Sequence, residues 1–460
     1  MSAFVRRMSR KQIIFLELNE VPQLILNRYS NFSSSFRYLI NQFNTYKTTS
    51  HDEIHLSPWI TWSTIHRGVT YNKHLIQNLG QDLSSVNKKY PPIWESLCNA
   101  GYKVGVFGSL HSSTLPTNID RYSFYVPDPF SDHSKCKPEL IQPIQEFQLA
   151  LSRKSARNVE KSFVKSLNPK FLIALARNGV RGATVLQAIN QLAQEKIVPT
   201  RICRRRVYQT ILNFDIYMSL LQKESTHFST FFSNHVASAM HRYWEAAFPE
   251  DYDASTQSQD WKQLYKDEIY YAMKITHHII ERLLQFAKMN PECEIWICSS
   301  MGQAPVQGYE SISSQLFMTD AEKFLKALGV DPSKYNQKPT MMPRITLAAD
   351  SIEDIAKLSY RLESLYIDGV RCEQMSSDKT LSLRFMKWNN EPLIKLDGTC
   401  MSLFDMGMSM VHIEDNSGTS AYHVADGILL TYGKNSDRFN SDVSIRTDEI
   451  KGMIEAALLS

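Results

Sequence analysis

The sequence contains no C-x-x-C pair, and its seven cysteines (Cys98, Cys136, Cys203, Cys293, Cys298, Cys372 and Cys400) are odd in number and widely spaced. That pattern argues against a structural zinc site and against a disulfide framework, and it fits a reducing compartment. Long apolar runs are missing as well. The first one, Ile13 to Leu16, stops at Glu17, too short for a signal-peptide core or a membrane span. The expected location is the cytoplasm, with contact at a membrane surface left open. There is no internal repeat and no low-complexity segment. Neither sign of charge dominates: 51 Lys+Arg stand against 47 Asp+Glu, a net +4. So mild an excess gives no argument for nucleic acid as a partner. One basic cluster, Arg201 to Arg206, stands out; it faces an anionic partner or, as such runs more often do, solvent along a helix.

What is present is ordinary globular material. The 460 residues are 43% hydrophobic and 21% charged, enough for one large α/β domain with insertions. Five short apolar runs have the form of buried parallel strands: IIFLEL from Ile13, KVGVFG from Lys103, STFFS from Ser229, EIWICSS from Glu294 and GILLTYG from Gly427. Spread over the whole chain and separated by helical patterns, they predict a mainly parallel central sheet flanked by helices. Residues 143–223 have a helical pattern with few turn signals, the mark of a helical insertion or lid. Residues 340–400 form a strand–helix–hairpin pattern, expected as a small α+β insertion within a domain spanning 1–460.

In open α/β sheets, reactive groups gather beyond the carboxyl ends of the strands. The residues just after the runs are Asn19 and Glu20, Gly108 and Ser109, Asn234 and His235, and Ser300 and Met301. Three segments carry candidate chemistry. S57-P-W-I-T-W-S-T-I-H-R-G68 crowds the hydroxyls of Ser57, Thr61, Ser63 and Thr64 around His66, a setting for an activated nucleophile. Its bland alternative is a well-capped helix start with inward tryptophans. N234-H-V-A-S-A-M-H-R-Y-W244 offers His235 and His241 directly after a strand. G418-T-S-A-Y-H-V-A-D-G427 places His423 in a turn-rich loop. Taken singly, each histidine is more simply a satisfied structural residue.

Taken in order, the segments resemble the alkaline phosphatase superfamily, nearest its type I phosphodiesterase/nucleotide pyrophosphatase branch. IIFLELNEV resembles that branch's first strand, with Asn19 at the position of a metal-binding Asp. SPWITWSTIHRGVTYNKHLI resembles the nucleophile segment, including Gly68, His74 and Ile76, with the nucleophile falling near Leu56 or Ser57. PPIWESLCNAGYKVGVFG resembles the helix and strand that follow. ASAMHRYWE resembles D-x-x-x-H with His241 retained, EIWICSSMGQ resembles a strand ending in S-D-H-G, and SAYHVADGILL carries the final histidine as His423. The resemblance covers about the first 110 residues, 228–303, and 418 onward.

The departures fall on the metal ligands. Asn19, Ala237 and the Ser300-Met301 pair stand where the resemblance expects Asp, Asp and Asp-His. One ion site is thereby stripped, and the other keeps only His241 and His423. Two imidazoles make a weak site, since zinc sites use three or four protein ligands. Glu17, Glu20, Asp52, Glu53, His55, His66 and His235 lie near the right strand ends as possible replacements.

The resemblance implies a hydrolase or transferase acting on a phosphate- or sulfate-type ester, with one divalent metal (zinc or manganese) or none. In that scheme Ser57, Thr61, Thr64, His66 and Asn19 are the catalytic candidates. Glu20, His235 and Trp244 are the substrate-binding candidates, and His241 and His423 the metal ligands. The expected partner is a small-molecule or glycan substrate with an anionic group. The alternatives are an inactive scaffold that binds an anionic ligand, glycan or nucleotide sugar, and a protein of surface-glycan assembly.

Overall fold

The computed structural model describes residues 11–52, 56–154, 169–338, 340, 344–377, 379–434, 439 and 443–459. Six strands enter the central sheet in sequence: β1 (Gln12–Leu18), β2 (Asn44–Thr49), β3 (Val104–Phe107), β4 (Phe124–Val126), β5 (Phe228–Ser233) and β6 (Cys293–Cys298). Two later strands, Asp426–Tyr432 and Ile445–Arg446, complete it. The spatial order is Ile445–Arg446, β2, Asp426–Tyr432, β6, β1, β5, β3, β4.

β1 lies between β5 and β6, parallel to both. Its side chains alternate between two cores, because successive residues of a strand face opposite sides of the sheet. Ile14, Leu16 and Leu18 enter the cluster beneath the helices that follow β5. Ile13 and Phe15 enter the other, with Trp62, Trp94 and Phe228. Helices on both faces explain why these strands appear in the sequence as continuous apolar runs.

Seven of the eight strands run in one direction. Asp426–Tyr432 is antiparallel to both β2 and β6, which corrects the expectation that GILLTYG is a parallel strand. The cause is the route of the chain. After β6, Gly302–Pro305 pairs antiparallel with Ala421–Val424, so the chain reaches Asp426 at the carboxyl edge of the sheet and must run back. His423 is therefore delivered to that edge immediately before the last long strand.

Among the described residues of 142–223 there are four α-helices: Gln142–Lys154, Pro169–Arg177, Gly182–Ile197 and Arg205–Lys223. The basic cluster within this stretch is spent internally. Arg204 pairs with Glu268, Arg205 with Glu195 and Arg206 with Glu414, so these arginines tie the helices to other elements. Farther along, Arg344–Ala349 joins Tyr335–Lys338, Glu373–Ser377 and Thr380–Arg384 in an antiparallel sheet. The helix Ile352–Leu362 packs on it around a separate core.

Candidate active site

Glu20 sits two residues beyond β1 in the left-handed region, at φ 59°. That conformation costs a non-glycine residue about 1–2 kcal/mol, and such outliers gather at functional sites. The carboxylate is buried, 3% exposed, and four side chains converge on it. His241 Nε2 lies 2.9 Å from Oε2 and His423 Nε2 lies 3.3 Å from the same oxygen. Gln303 Nε2 donates to Oε2 at 2.5 Å, and Asn19 Nδ2 donates to Oε1 at 2.8 Å.

Three distant segments are interlocked to achieve this. His241 lies on the helix His235–Ala247 that follows β5, and its Nδ1–H donates to the Ala421 carbonyl at 2.7 Å. His423 lies on Ala421–Val424 opposite Gln303, and its Nδ1–H donates to the Leu56 carbonyl at 2.8 Å. A carbonyl can only accept, so both rings carry a proton on Nδ1. Both therefore present Nε2 to Glu20. Fixing the tautomer through a backbone carbonyl is the usual support of a metal-binding histidine.

This donor set suits a divalent ion. One carboxylate oxygen and two imidazole nitrogens lie within 4.8 Å of one another. Ligands about 2.0–2.1 Å from a shared tetrahedral ion stand about 3.3 Å apart, close to the 2.9 and 3.3 Å between Glu20 and the two histidines. Two neutral Nε2 lone pairs beside a carboxylate repel it unless a proton or a metal cation intervenes. Burial by itself would raise the Glu20 carboxyl, but His423 and His241 beside it hold it well below the usual carboxylate range. Burial would likewise lower His423, and Glu20 raises it instead. Three protein ligands leave a position open, as catalytic rather than structural zinc sites do. The His241 side chain is 26% exposed, so the cluster borders open space.

That space is a cleft of about 1360 Å³, lined among others by Glu20, Ser57, Trp59, His241, Arg384 and Tyr422. Of the candidate nucleophiles only Ser57 faces it. Ser57 begins the helix Pro58–Arg67 without capping it through its side chain, and its hydroxyl has no hydrogen bond among the described residues. The Thr61 hydroxyl is fully buried and donates to Ser300 Oγ at 2.8 Å. The Thr64 hydroxyl is fully buried and donates to Asp52 Oδ2 at 2.5 Å, and it also contacts His74 Nε2.

The remaining candidates are committed to the scaffold. His66 is buried against Glu17, 2.7 Å from its Oε1, and stacks on Trp62. It shares Glu17's side of β1, where alternation turns both toward the core. Asn19 donates to Asn234 Oδ1 as well as to Glu20 and accepts from Trp62 Nε1, so its amide holds the Glu20 carboxylate in place. His235 lies at the cleft wall, but its Nδ1 accepts from Ser233 Oγ and its Nε2–H donates to the Ala272 carbonyl. Trp244 is fully buried and bonds Asp251, so it belongs to the core and not to a substrate site. Glu53 and His55 lie outside the described residues.

Around the stripped ion site the groups are neutral. Met301 and Ala237 are buried, Ser300 receives Thr61, and Asn19 replaces a carboxylate by an amide. Glu20, two residues beyond β1, is the carboxylate that stands beside His241 and His423. The sequence offers Glu20 both as a substrate contact and as one of seven possible replacement ligands, and it gives no hint of Gln303. What marks Gln303 is its place directly opposite His423 in a strand pair that spans more than a hundred residues.

No family model matches the chain, and no curated protein matches it in sequence. Solved structures do. Murine ectonucleotide pyrophosphatase/phosphodiesterase 5, an inactive form in complex with AMP, shares 11% identity over 98% of this chain and 95% of its own, at a TM-score of 0.41. Phosphonoacetate hydrolase from Sinorhizobium meliloti 1021, in complex with phosphonoformate, shares 11% over 98% and 96%, at 0.42. Alkaline phosphatase from the Antarctic bacterium TAB5 shares 10% over 98% and 99%, at 0.39. All three are alkaline phosphatase superfamily members. Likeness at this level leaves any activity to be argued from the site itself.

Proposed function

We propose that this protein is an enzyme that cleaves or transfers an ester of a phosphate-type, phosphonate-type or sulfate-type acid, using one divalent metal. The observation that carries this is the convergence of Glu20, His241 and His423 with both histidine tautomers set by backbone carbonyls. The metal would be zinc or manganese, and the chemistry it supplies is polarisation of an anionic oxygen with charge neutralisation.

The chain's own residues divide the remaining work. Gln303 and Asn19 fix the carboxylate of Glu20. Leu56 orients His423, and its neighbour Ser57 presents a hydroxyl at the start of a ten-residue helix, where backbone N–H groups and the helix dipole favour negative charge. Ser57 is therefore the attacking group. Arg344 and Arg384, flanking Glu373 on the far wall, offer guanidinium groups to a second anionic part of the substrate. The cleft is wide enough for a substrate much larger than phosphate, and Trp59, Phe130 and Tyr422 supply flat surfaces for a sugar or base. The seven cysteines are unpaired and six are buried, which suits the cytoplasm.

The test is metal analysis of the purified protein, followed by turnover of aryl phosphate, phosphodiester, phosphonate and sulfate esters with zinc or manganese added. Less than about a tenth of an equivalent of metal, with no turnover, rejects the proposal. The neutral groups at Asn19, Ala237 and Met301 favour a second reading, a binding protein without turnover; stoichiometric metal with ligand binding and no product would establish it.

Ser57→Ala is expected to lower kcat at least about 1000-fold if the serine attacks. A kcat within about threefold of the parent would instead make water the attacking group. Arg384→Ala is expected to raise KM about tenfold with kcat little changed, because it removes binding common to ground and transition states. Equal loss in kcat would place Arg384 at the reacting centre instead.

A further inference from the structure

The helix Gly182–Ile197 is amphipathic in the reverse sense. Its two buried residues are polar: Thr184, whose hydroxyl donates to Asp215 Oδ2 at 2.5 Å, and Gln191, which donates to the Arg201 carbonyl at 2.7 Å. Four of its five large apolar side chains face outward, with Val185 43%, Leu186 68%, Ile189 58% and Ile197 77% exposed, and the fifth, Leu192, is half-buried. At about 100° per residue these four share an arc of about 120°, together with Ala193 and Lys196. Thr184 and Gln191 fall on the opposite side. The preceding helix, Pro169–Arg177, buries Phe171 and Ala174 and exposes Leu172 and Ile173.

The exposed charges of this region have one sign. Lys170, Arg177, Arg181 and Lys196 are exposed, and none makes an ion pair among the described residues. The one acid between 169 and 200, Glu195, is paired with Arg205. An outward apolar stripe with a cationic rim is the composition of a helix that lies in the headgroup layer of a membrane. No helix among the described residues is long and apolar enough to cross one. A second copy of this chain is disfavoured as occupant, because a two-fold interface sets the same patch against itself and would oppose cation to cation.

We propose that the helices Pro169–Arg177 and Gly182–Ile197 form a docking surface for an anionic phospholipid bilayer. The surface adjoins the cleft. The helix Arg205–Lys223, which packs on Gly182–Ile197, contributes Gln209, Thr210 and Asn213 to the cleft wall. The docking itself stands apart from the catalytic proposal and is tested without turnover.

The test is flotation of the full chain with vesicles of phosphatidylcholine alone and with about 30 mol % phosphatidylglycerol. Binding is expected only to the anionic vesicles and is expected to fall as salt rises to about 0.5 M. Leu186→Ser with Ile189→Ser, two exposed positions, is expected to lower partitioning at least about tenfold while the circular dichroism melt is unchanged. Arg181→Gln with Lys196→Gln is expected to weaken it at low salt. Equal partitioning to both vesicle types overturns the proposal, as does partitioning unaffected by the serine substitutions. A dimer in sedimentation velocity that those substitutions dissolve would assign the patch to self-association and overturn it equally.

Discussion

Glu20→Gln is expected to weaken metal binding at least about 100-fold and to abolish turnover. Loss of an outer partner of a metal ligand already costs about 10–100-fold, and under the proposed function Glu20 would be a direct ligand and is the carboxylate of the three-residue set. The substitution keeps the shape of the side chain and removes its charge. It also sets an amide N–H against Gln303, Asn19 or the histidines, which now donate to Oε1 and Oε2 or face them. Gln303→Ala is the graded control, expected to cost about tenfold, because it frees the carboxylate without removing it. Competition against a chelating dye measures both. Thermal unfolding gives a second readout: ion at 100 times its Kd adds about 2.7 kcal/mol to the parent and little to the variant. Parent-like affinity in Glu20→Gln would remove Glu20 from the site. Acidification is expected to release the metal, since His423 must shed its proton to bind and Glu20 raises its hold on that proton.

The second large effect is loss of stability in mild acid. His74 and His111 are pushed down to about 3, and His235 to about 4, burial being the main cause in each. All three are neutral in the fold. The Nε2–H of His111 donates to the Trp59 carbonyl, and His74 accepts on Nδ1 from the Ile76 N–H. In the unfolded chain each titrates near 6.5. Between these values the unfolded state binds more protons, so the stabilisation is complete above about 6.5 and is lost as pH falls toward 4. Each group gives up about 2 kcal/mol between pH 7 and pH 5, about 6 kcal/mol for the three.

Asp128 opposes them. Its carboxyl is buried with Oδ2 unbonded among the described residues and is pushed up to about 7, so the fold takes up a proton there as pH falls through 7 and gains stability below it. That returns about 2 kcal/mol over the same interval, and the raised His423 acts in the same sense. Urea titrations at pH 7 and pH 5 are therefore expected to differ by up to about 4 kcal/mol, less stable at pH 5. In Asp128→Asn the difference is expected to grow by about 2 kcal/mol. No loss at pH 5 would mean that these histidines are solvated or already charged in the fold.

Much of the frame follows from short-range pattern. β1, β3, β5 and β6 are apolar runs because helices cover both faces of the sheet, and the residues just beyond β1 and β5 bring Glu20 and the segment of His235 and His241 into view before any fold is known. β2 escaped notice because NTYKTT alternates toward solvent, and β4 because three residues carry no period. The reversed direction of Asp426–Tyr432 was illegible, because a run of apolar residues does not encode which end of the sheet the chain enters.

The site is legible by residue type and illegible by role. Thr61, Thr64 and Ser57 are equivalent hydroxyls in one helical segment, and only the packing of that helix against Asp52 and Ser300 turns two of them inward and leaves Ser57 at the cleft. His66, His235 and Trp244 have the right chemistry and are consumed by neighbours that arrive from elsewhere in the chain. The loss of carboxylates at positions 19 and 237 is visible in the letters alone. The letters offer Glu20 only as one of seven possible replacements and do not single it out, because that depends on a left-handed backbone after β1 and on contacts with residues more than two hundred positions away. Periodicity and composition act over a few turns of chain and are sufficient for strands, helices and candidate residue types. Coordination needs atoms a few ångströms apart, and that distance exists only once the sheet has closed.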